Sequence, residues 1–295
     1  MIRDFMPEEH RDFFELLPFL LLGSLDRAGR PWASLLRGEP GFVTSPNPRS
    51  LMIASTPVAG DPLVENLRAG APIGVLGIQL ETRRRNRANG RIVWHSERGF
   101  ELAVEQSFGN CKMYIQARTR GAPRRRGAEP LAPVPGGSLL AQRAVELLQG
   151  SDTAFLATSS AHAREGGREG SDVSHRGGLP GFLRAAQWEL GTRITLPDYA
   201  GNNMFNSLGN IESNPRAGLL CCDFSSGDLL SLSGAARVSW DSPELTLFPG
   251  AERLLEIEVE AHVLLREALP ETWVHTEYSP QLFNKVDAST DANNS

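Results

Sequence analysis

The sequence predicts a mainly β chain with short helices (α+β), built from two tandem copies of one β-barrel unit. Three observations lead there. With 29 Gly and 20 Pro among 295 residues, turn formers make up about 17% of the chain, where about 12% is usual. Apolar runs are short and separated by turn residues. The second half also repeats the first. LLRGEPGFV (35–43) aligns with SHRGGLPGFL, so that Gly38, Pro40, Gly41 and Phe42 match Gly178, Pro180, Gly181 and Phe182 at an offset of 140. AGDPLVENL (59–67) aligns with AGNNMFNSL at an offset of 141, and Pro72 matches Pro215 at 143.

Taken in order, residues 8–17 predict a short helix with Phe13, Phe14, Leu16 and Leu17 on one face. PFLLLGSLDRAGRPWASLL predicts a hairpin around its Asp-Arg-Ala-Gly-Arg turn. Strands follow at 51–54, 73–80 and 91–95, and DPLVENLRAG predicts a helix capped by Asp61, with Pro62 first and Gly70 past its end. Residues 119–138 are Pro, Gly and Arg without periodicity, hence a linker or surface loop. SLLAQRAVELLQG then has helical spacing, and β-type patterning resumes at DTAFLATSS. The expected division is an N-terminal unit at 1–118, a linker at 119–138, a C-terminal unit at 139–282 and a flexible tail at 283–295.

Several function classes are disfavoured. Thirty Lys+Arg against 35 Asp+Glu give a net charge of −5, against nucleic-acid binding through overall charge. The stretch Leu16 to Leu25 is far short of a membrane span, which needs roughly 18 apolar residues. No secretory signal is read at the N-terminus, where Glu8 and Glu9 are acidic. Three cysteines, Cys111, Cys221 and Cys222, form no disulfide framework, so the expected location is the cytoplasm. No metal motif, GxGxxG or Walker loop is present. The runs Arg83–Arg87 and Arg124–Arg126 are read as solvated loops, with contact to a phosphate-bearing ligand as the functional alternative.

The densest polar cluster is ITLPDYAGNNMFNSLGN (194–210). A strand ending at Pro197 and Asp198 leads to Asn202, Asn203, Asn206 and Ser207, which bracket a helix N-terminus. Met204, Phe205, Leu208 and Ile211 form its apolar face. Free N–H groups and the positive end of a helix dipole hold anions, and Asn and Ser add neutral donors. The plain alternative is an Asn-rich turn with an N-cap. The first copy has Asp61, Pro62 and Glu65 at these places, two carboxylates and a residue without an N–H. One ligand site per chain follows, built mainly on the second copy. In SDVSHRGG (171–178), Asp172, Ser174 and Arg176 share one strand face and His175 the other. Arg176 suits a phosphate or a ring oxygen, or else an ordinary salt bridge. Asp172, Ser174 and His175 are near neighbours on one strand and do not make a hydrolase triad.

Together with RRRNRANGRI, FGNCKMYIQAR and GDLLSLSGAARVSW, these segments resemble the flavin-nucleotide-binding proteins related to pyridoxamine 5'-phosphate oxidase, in the longer, two-barrel branch. The resemblance covers roughly residues 10 to 275. It implies two tandem FMN-binding split β-barrels that form a pseudo-dimer within one chain, with FMN between them. It implies the phosphate at Asn202, Asn203, Asn206 and Ser207, and Asp172, Ser174, His175, Arg176, Leu196 and Pro197 near the ring or ribityl chain. Trp273 is expected to cover the site. The implied activity is an FMN-dependent oxidoreductase acting on a small molecule, with NAD(P)H as a candidate donor; the alternative is a non-catalytic flavin carrier or sensor. No catalytic side chain and no metal are required. Barrel edges and 13 Phe leave room for a homodimer. Asn and Ser where relatives place Arg and Lys on the phosphate, and Lys112 in place of Pro, are departures that speak against pyridoxamine phosphate as substrate.

Overall fold

The computed structural model describes residues 2–124, 131–163, 170–201 and 204–283. The chain begins with helix α1 (Glu8–Glu15), strands β1 (Phe19–Leu25), β2 (Pro31–Arg37), β3 (Val43–Asn47) and β4 (Ser50–Ile53), and the single turn α2 (Leu63–Asn66). Strands β5 (Pro72–Gln79), β6 (Arg84–Ser96) and β7 (Gly99–Gly109) complete the first sheet, followed by β8 (Ala117–Pro123) and β9 (Val134–Gly136). The second half has helix α3 (Gln142–Gly150), strands β10 (Thr153–Ser159), β11 (Ser171–Gly177), β12 (Arg184–Trp188) and β13 (Gly191–Tyr199), and helix α4 (Asn206–Ser213). Strands β14 (Arg216–Cys222), β15 (Leu229–Ser239), β16 (Ala251–Leu265) and β17 (Glu271–Glu277) end it.

The first sheet runs β2-β1-β5-β6-β7-β4-β3 and the second β11-β10-β14-β15-β16-β13-β12. Position for position this is one strand order used twice: two tandem split β-barrels in one chain. Local geometry repeats as well. The N–H of Gly41 donates to Glu15 and that of Gly181 to Gln149, with φ of +93° and +90°, a backbone region open to glycine.

Burial explains why the first strand of each unit reads as an unbroken apolar run. On β1, Leu20 and Leu22 enter the first barrel's core, while Phe19 and Leu21 enter a separate core between the barrels. On β10, Ala154 and Leu156 enter the second barrel, while Phe155 and Ala157 join the shared core. Such strands are apolar on both faces. The barrels approach closely enough that a Cβ on Gly74 would lie 2.6 Å from Asp172 Cα, and one on Gly218 2.4 Å from the Pro31 carbonyl oxygen. The two glycines occupy equivalent places in β5 and β14, so the halves pack with approximate two-fold symmetry.

Four expectations need correction. The helix expected after Asp61 is only the turn α2, because Arg68 accepts the Ala71 N–H and the chain re-enters the sheet at Pro72. Leu16 is exposed, since α1 ends at Glu15. The region 119–138 is not all loop: β8 pairs with β17 and β9 with β16, while residues 125–130 lie outside the described residues. The run Arg83–Arg87 is not a solvated loop either. β6 begins inside it, and alternation turns Arg85 and Arg87 inward while Arg84 stays exposed. Among the described residues, no helix is long and apolar enough to cross a membrane.

Candidate functional site

A cleft lies where the two barrels meet. The second barrel supplies Ser174, His175 and Arg176 from β11, Pro197 and Tyr199 from the end of β13, and Ser207 from α4. The first barrel supplies Arg85 and Arg87 from β6, and Asn110, Cys111 and Tyr114 from the segment after β7. Neither half makes the cleft alone.

The charges in it are arranged unequally. Arg87 is ion-paired to Asp172 across the interface at 2.7 Å, and Asn89 Nδ2 donates to the other Asp172 oxygen at 3.1 Å. Arg176 pairs with Asp198, which also faces Arg253 Nε at 3.5 Å. Arg253 in turn pairs with Glu252. Arg85 differs. Its Nε donates to the Cys111 carbonyl at 2.6 Å, and among the described residues no carboxylate pairs with it. Burial, then Arg87 and Arg176, lower its pKa, yet a guanidinium remains cationic at neutral pH.

His175 is 6% exposed, and neither ring nitrogen has a hydrogen-bond partner. Phe155 meets its ring edge-on, with centroids 5.8 Å apart. Burial holds its pKa well below the usual range, and Arg85, Arg176 and Arg118 push the same way. The imidazole is therefore neutral and offers one donor and one acceptor. Arg87 Nε, Arg176 Nε and Asn110 Oδ1 are also buried without partners. All of these atoms belong to residues lining the same cleft. Buried polar atoms are normally satisfied, so a cluster of orphans needs a physical cause such as a ligand. Guanidinium donors and an uncompensated cation suit an anion, above all a phosphate. Ser174 Oγ and Ser207 Oγ, 3.0 Å apart, add neutral donors. The residues present thus fit a phosphate-bearing ligand.

The sequence-predicted residues divide. Ser174, His175, Arg176, Pro197 and Ser207 line the cleft. Asp172 stands behind it, holding Arg87, and borders a neighbouring groove with Asn206. Leu196 does not reach the cleft: it points into the second barrel's core, as alternation next to Pro197 requires. Trp273 does not cover the cleft either. It packs edge-on against Phe19 at 5.4 Å in the core between the barrels. Asn202 and Asn203 lie outside the described residues. Sequence reasoning gave Arg85 and Arg87 a ligand contact only as the alternative to a solvated loop, and it missed Asn110, Cys111, Tyr114 and Tyr199 as site residues. The alternation of Arg85 and Arg87 within the arginine run was the available signal. The structure places Arg85 and Arg87 at the cleft beside Arg176, in addition to the Ser hydroxyls.

The equivalent place in the first barrel is closed. At the 140 offset, Leu35 and Leu36 replace His175 and Arg176, and Ser34 replaces Ser174. Ser34 Oγ donates to Asp61 at 2.5 Å, and Leu63 N–H donates to the same oxygen at 2.8 Å. Burial raises the Asp61 pKa to about 6. Among the described residues, no group of three His, Cys, Asp or Glu could hold a metal ion.

Residues 140–273, most of the C-terminal barrel, match the model of the family described as pyridoxamine 5'-phosphate oxidase. No curated protein matches the chain. Similar solved structures include HupZ of Group A Streptococcus, at 12% identity and TM-score 0.33, covering 45% of this chain and 98% of that one. A putative pyridoxamine 5'-phosphate oxidase of Lactobacillus delbrueckii has 17% identity and TM-score 0.31, covering 42% and 93%. The FAD binding protein of Mycobacterium smegmatis has 14% identity and TM-score 0.28, covering 43% and 97%. These scores carry no argument about function.

Proposed function

We propose that the cleft binds FMN, one per chain, and that the protein is an oxidoreductase acting on a small molecule through it. The observation that supports this reading is the set of orphaned polar atoms around an uncompensated Arg85, in a cleft that both barrels build. Arg85 and Arg176 would hold the phosphate through charge-assisted hydrogen bonds, with the Ser174 and Ser207 hydroxyls as neutral donors. Asp172 keeps Arg87 oriented. Neutral His175 would accept from, or donate to, the ligand's polar edge. When bound, FMN supplies hydride and electron transfer, and the protein supplies binding, orientation and water exclusion. NADH or NADPH is the proposed reductant and a homodimer the proposed assembly; free thiols favour a cytoplasmic setting.

A visible spectrum of the purified protein, with FMN titration of any colourless fraction, tests this. One FMN per chain is expected. A protein that neither carries nor takes up FMN refutes the reading. A carrier or sensor without turnover is the second reading. It is favoured by the ion-paired state of Asp172, Asp198 and Glu252 and by the neutral His175, which leave no evident acid–base pair. Anaerobic reduction of bound FMN by NADPH separates the two.

A further inference from the structure

Tyr114 has a φ of +65°. A bulky side chain there is a backbone outlier, which persists only where the surroundings fix it and which clusters at functional sites. The surroundings do fix it. Its N–H donates to Ser279 Oγ at 2.9 Å, and its carbonyl accepts from Gln116 Nε2 at 3.2 Å. The same carbonyl abuts Gly177, where a Cβ would come within 2.0 Å of it. The effect of this conformation is to deliver the phenol into the cleft. Its hydroxyl donates to the Ala200 carbonyl at 2.8 Å. Its ring stacks on Tyr199, with centroids 5.2 Å apart and planes 26° apart.

The stack joins the barrels: Tyr114 comes from the first and Tyr199 from the end of β13 in the second. Both residues line the cleft that holds Arg85 and His175. Burial raises both phenol pKa values, that of Tyr114 to about 12, so neither ring becomes an anion that would repel a phosphate ester. The cleft thus has a cationic part suited to phosphate and, separately, a rigid aromatic part that phosphate binding does not need.

We propose that the Tyr114–Tyr199 pair is the ring-recognition element of the cleft, taking the planar heteroaromatic portion of the ligand whose phosphate Arg85 holds. This rests on the FMN reading and adds a residue-specific selectivity for flat, electron-poor rings over other phosphate esters. Stacking of this kind is worth roughly a two- to tenfold change in affinity per ring.

The test is titration of the full-length protein with FMN, read by fluorescence of the flavin, beside competition by inorganic phosphate. Stacked tyrosines quench flavin emission by electron transfer. The variants are Tyr199→Leu, which leaves the strained turn untouched, Tyr114→Leu, and Tyr199→Phe, which keeps a ring. The expected result is quenched FMN on the wild type, and wild-type affinity with partly recovered emission on Tyr199→Phe, whose ring still stacks but does not donate an electron. Tyr199→Leu and Tyr114→Leu should bind FMN roughly fivefold more weakly, with emission partly recovered and phosphate competition unchanged. FMN bound with unaltered affinity and quenching in both leucine variants overturns the ring assignment and leaves the FMN reading standing. A wild type that binds no FMN overturns both.

Discussion

Replacing Asp61 by Asn should flatten the pH dependence of this protein's stability. The carboxyl is 3% exposed and has two hydrogen-bond donors but, among the described residues, no paired cation. Burial raises its pKa from 3.8 to about 6. The native state therefore holds this proton more tightly than the unfolded chain does. The resulting stability is fully present below about pH 4 and is lost as pH rises through about 6. A shift of about two units, at 1.36 kcal/mol per unit, amounts to about 3 kcal/mol. The Asn side chain does not titrate but keeps an acceptor for Ser34 and Leu63. Its amide brings new donors, so the two proteins will differ by a constant of about 1–3 kcal/mol; the change with pH is the diagnostic quantity. Urea unfolding at half-unit steps from pH 4 to 8 measures it, where both proteins share an m-value. The variant should gain about 3 kcal/mol on the wild type between pH 4 and 7. Parallel curves would show that Asp61 is not a buried, unpaired carboxyl, and the account of the closed first-barrel site would fall with it.

Three further outcomes follow from the same geometry. Arg85→Gln should weaken FMN binding by about 2 kcal/mol, roughly 30-fold, by removing a charge-assisted bond, with no loss of stability by urea unfolding. Asp172→Asn should destabilise the fold by about 3–5 kcal/mol in the same assay, because it strands the buried Arg87 without a counter-charge. Thiol titration of the native protein should find one reactive cysteine, Cys111, which is partly exposed. Cys221 and Cys222 are buried, with pKa values pushed up to about 12 for Cys221 and further for Cys222, and should react only on unfolding.

The repeat was legible because turn chemistry is local. Gly41 and Gly181 hold the same positive φ in the same Pro-Gly-Phe setting, and that pattern survives divergence of the strands around it. Ser174, His175 and Arg176 were legible for a related reason: polar residues on a strand that is otherwise buried need a purpose. The first barrel's share of the cleft was legible only as the alternative reading of its arginine run. Whether an arginine run is solvated depends on what packs over it, and β6 meets β11 through folding of residues some 85 positions apart. Trp273 was misplaced for the opposite reason. A late aromatic has no local signal that separates covering a site from filling a core, and contact with Phe19 decides it.

Two copies on one chain can diverge where two identical subunits cannot, and the cleft shows the division of labour. Gly90 and Gly234 mark a common register, each so close to a backbone carbonyl of the next strand that a Cβ would lie within 2 Å of it. In that register Arg85 and Arg87 of β6 correspond to Leu229 and Ser231 of β15. The partner strand differs in the converse way, with His175 and Arg176 on β11 against Leu35 and Leu36 on β2. One crossing of the barrels thus gathers Arg85, Arg87, His175 and Arg176. The other gathers leucines, a Ser231 hydroxyl already donating to the Ala33 carbonyl at 2.8 Å, and Asp61. No single substitution turns the second crossing into the first, because the equivalent positions of both strands, Leu35 and Leu36 on β2 and Leu229 and Ser231 on β15, lack cations. Adding an arginine at Leu36 alone would bury a charge beside apolar side chains, at a cost of several kcal/mol. The proposed stoichiometry of one ligand per chain therefore rests on both halves, and it should persist in Asp61→Asn.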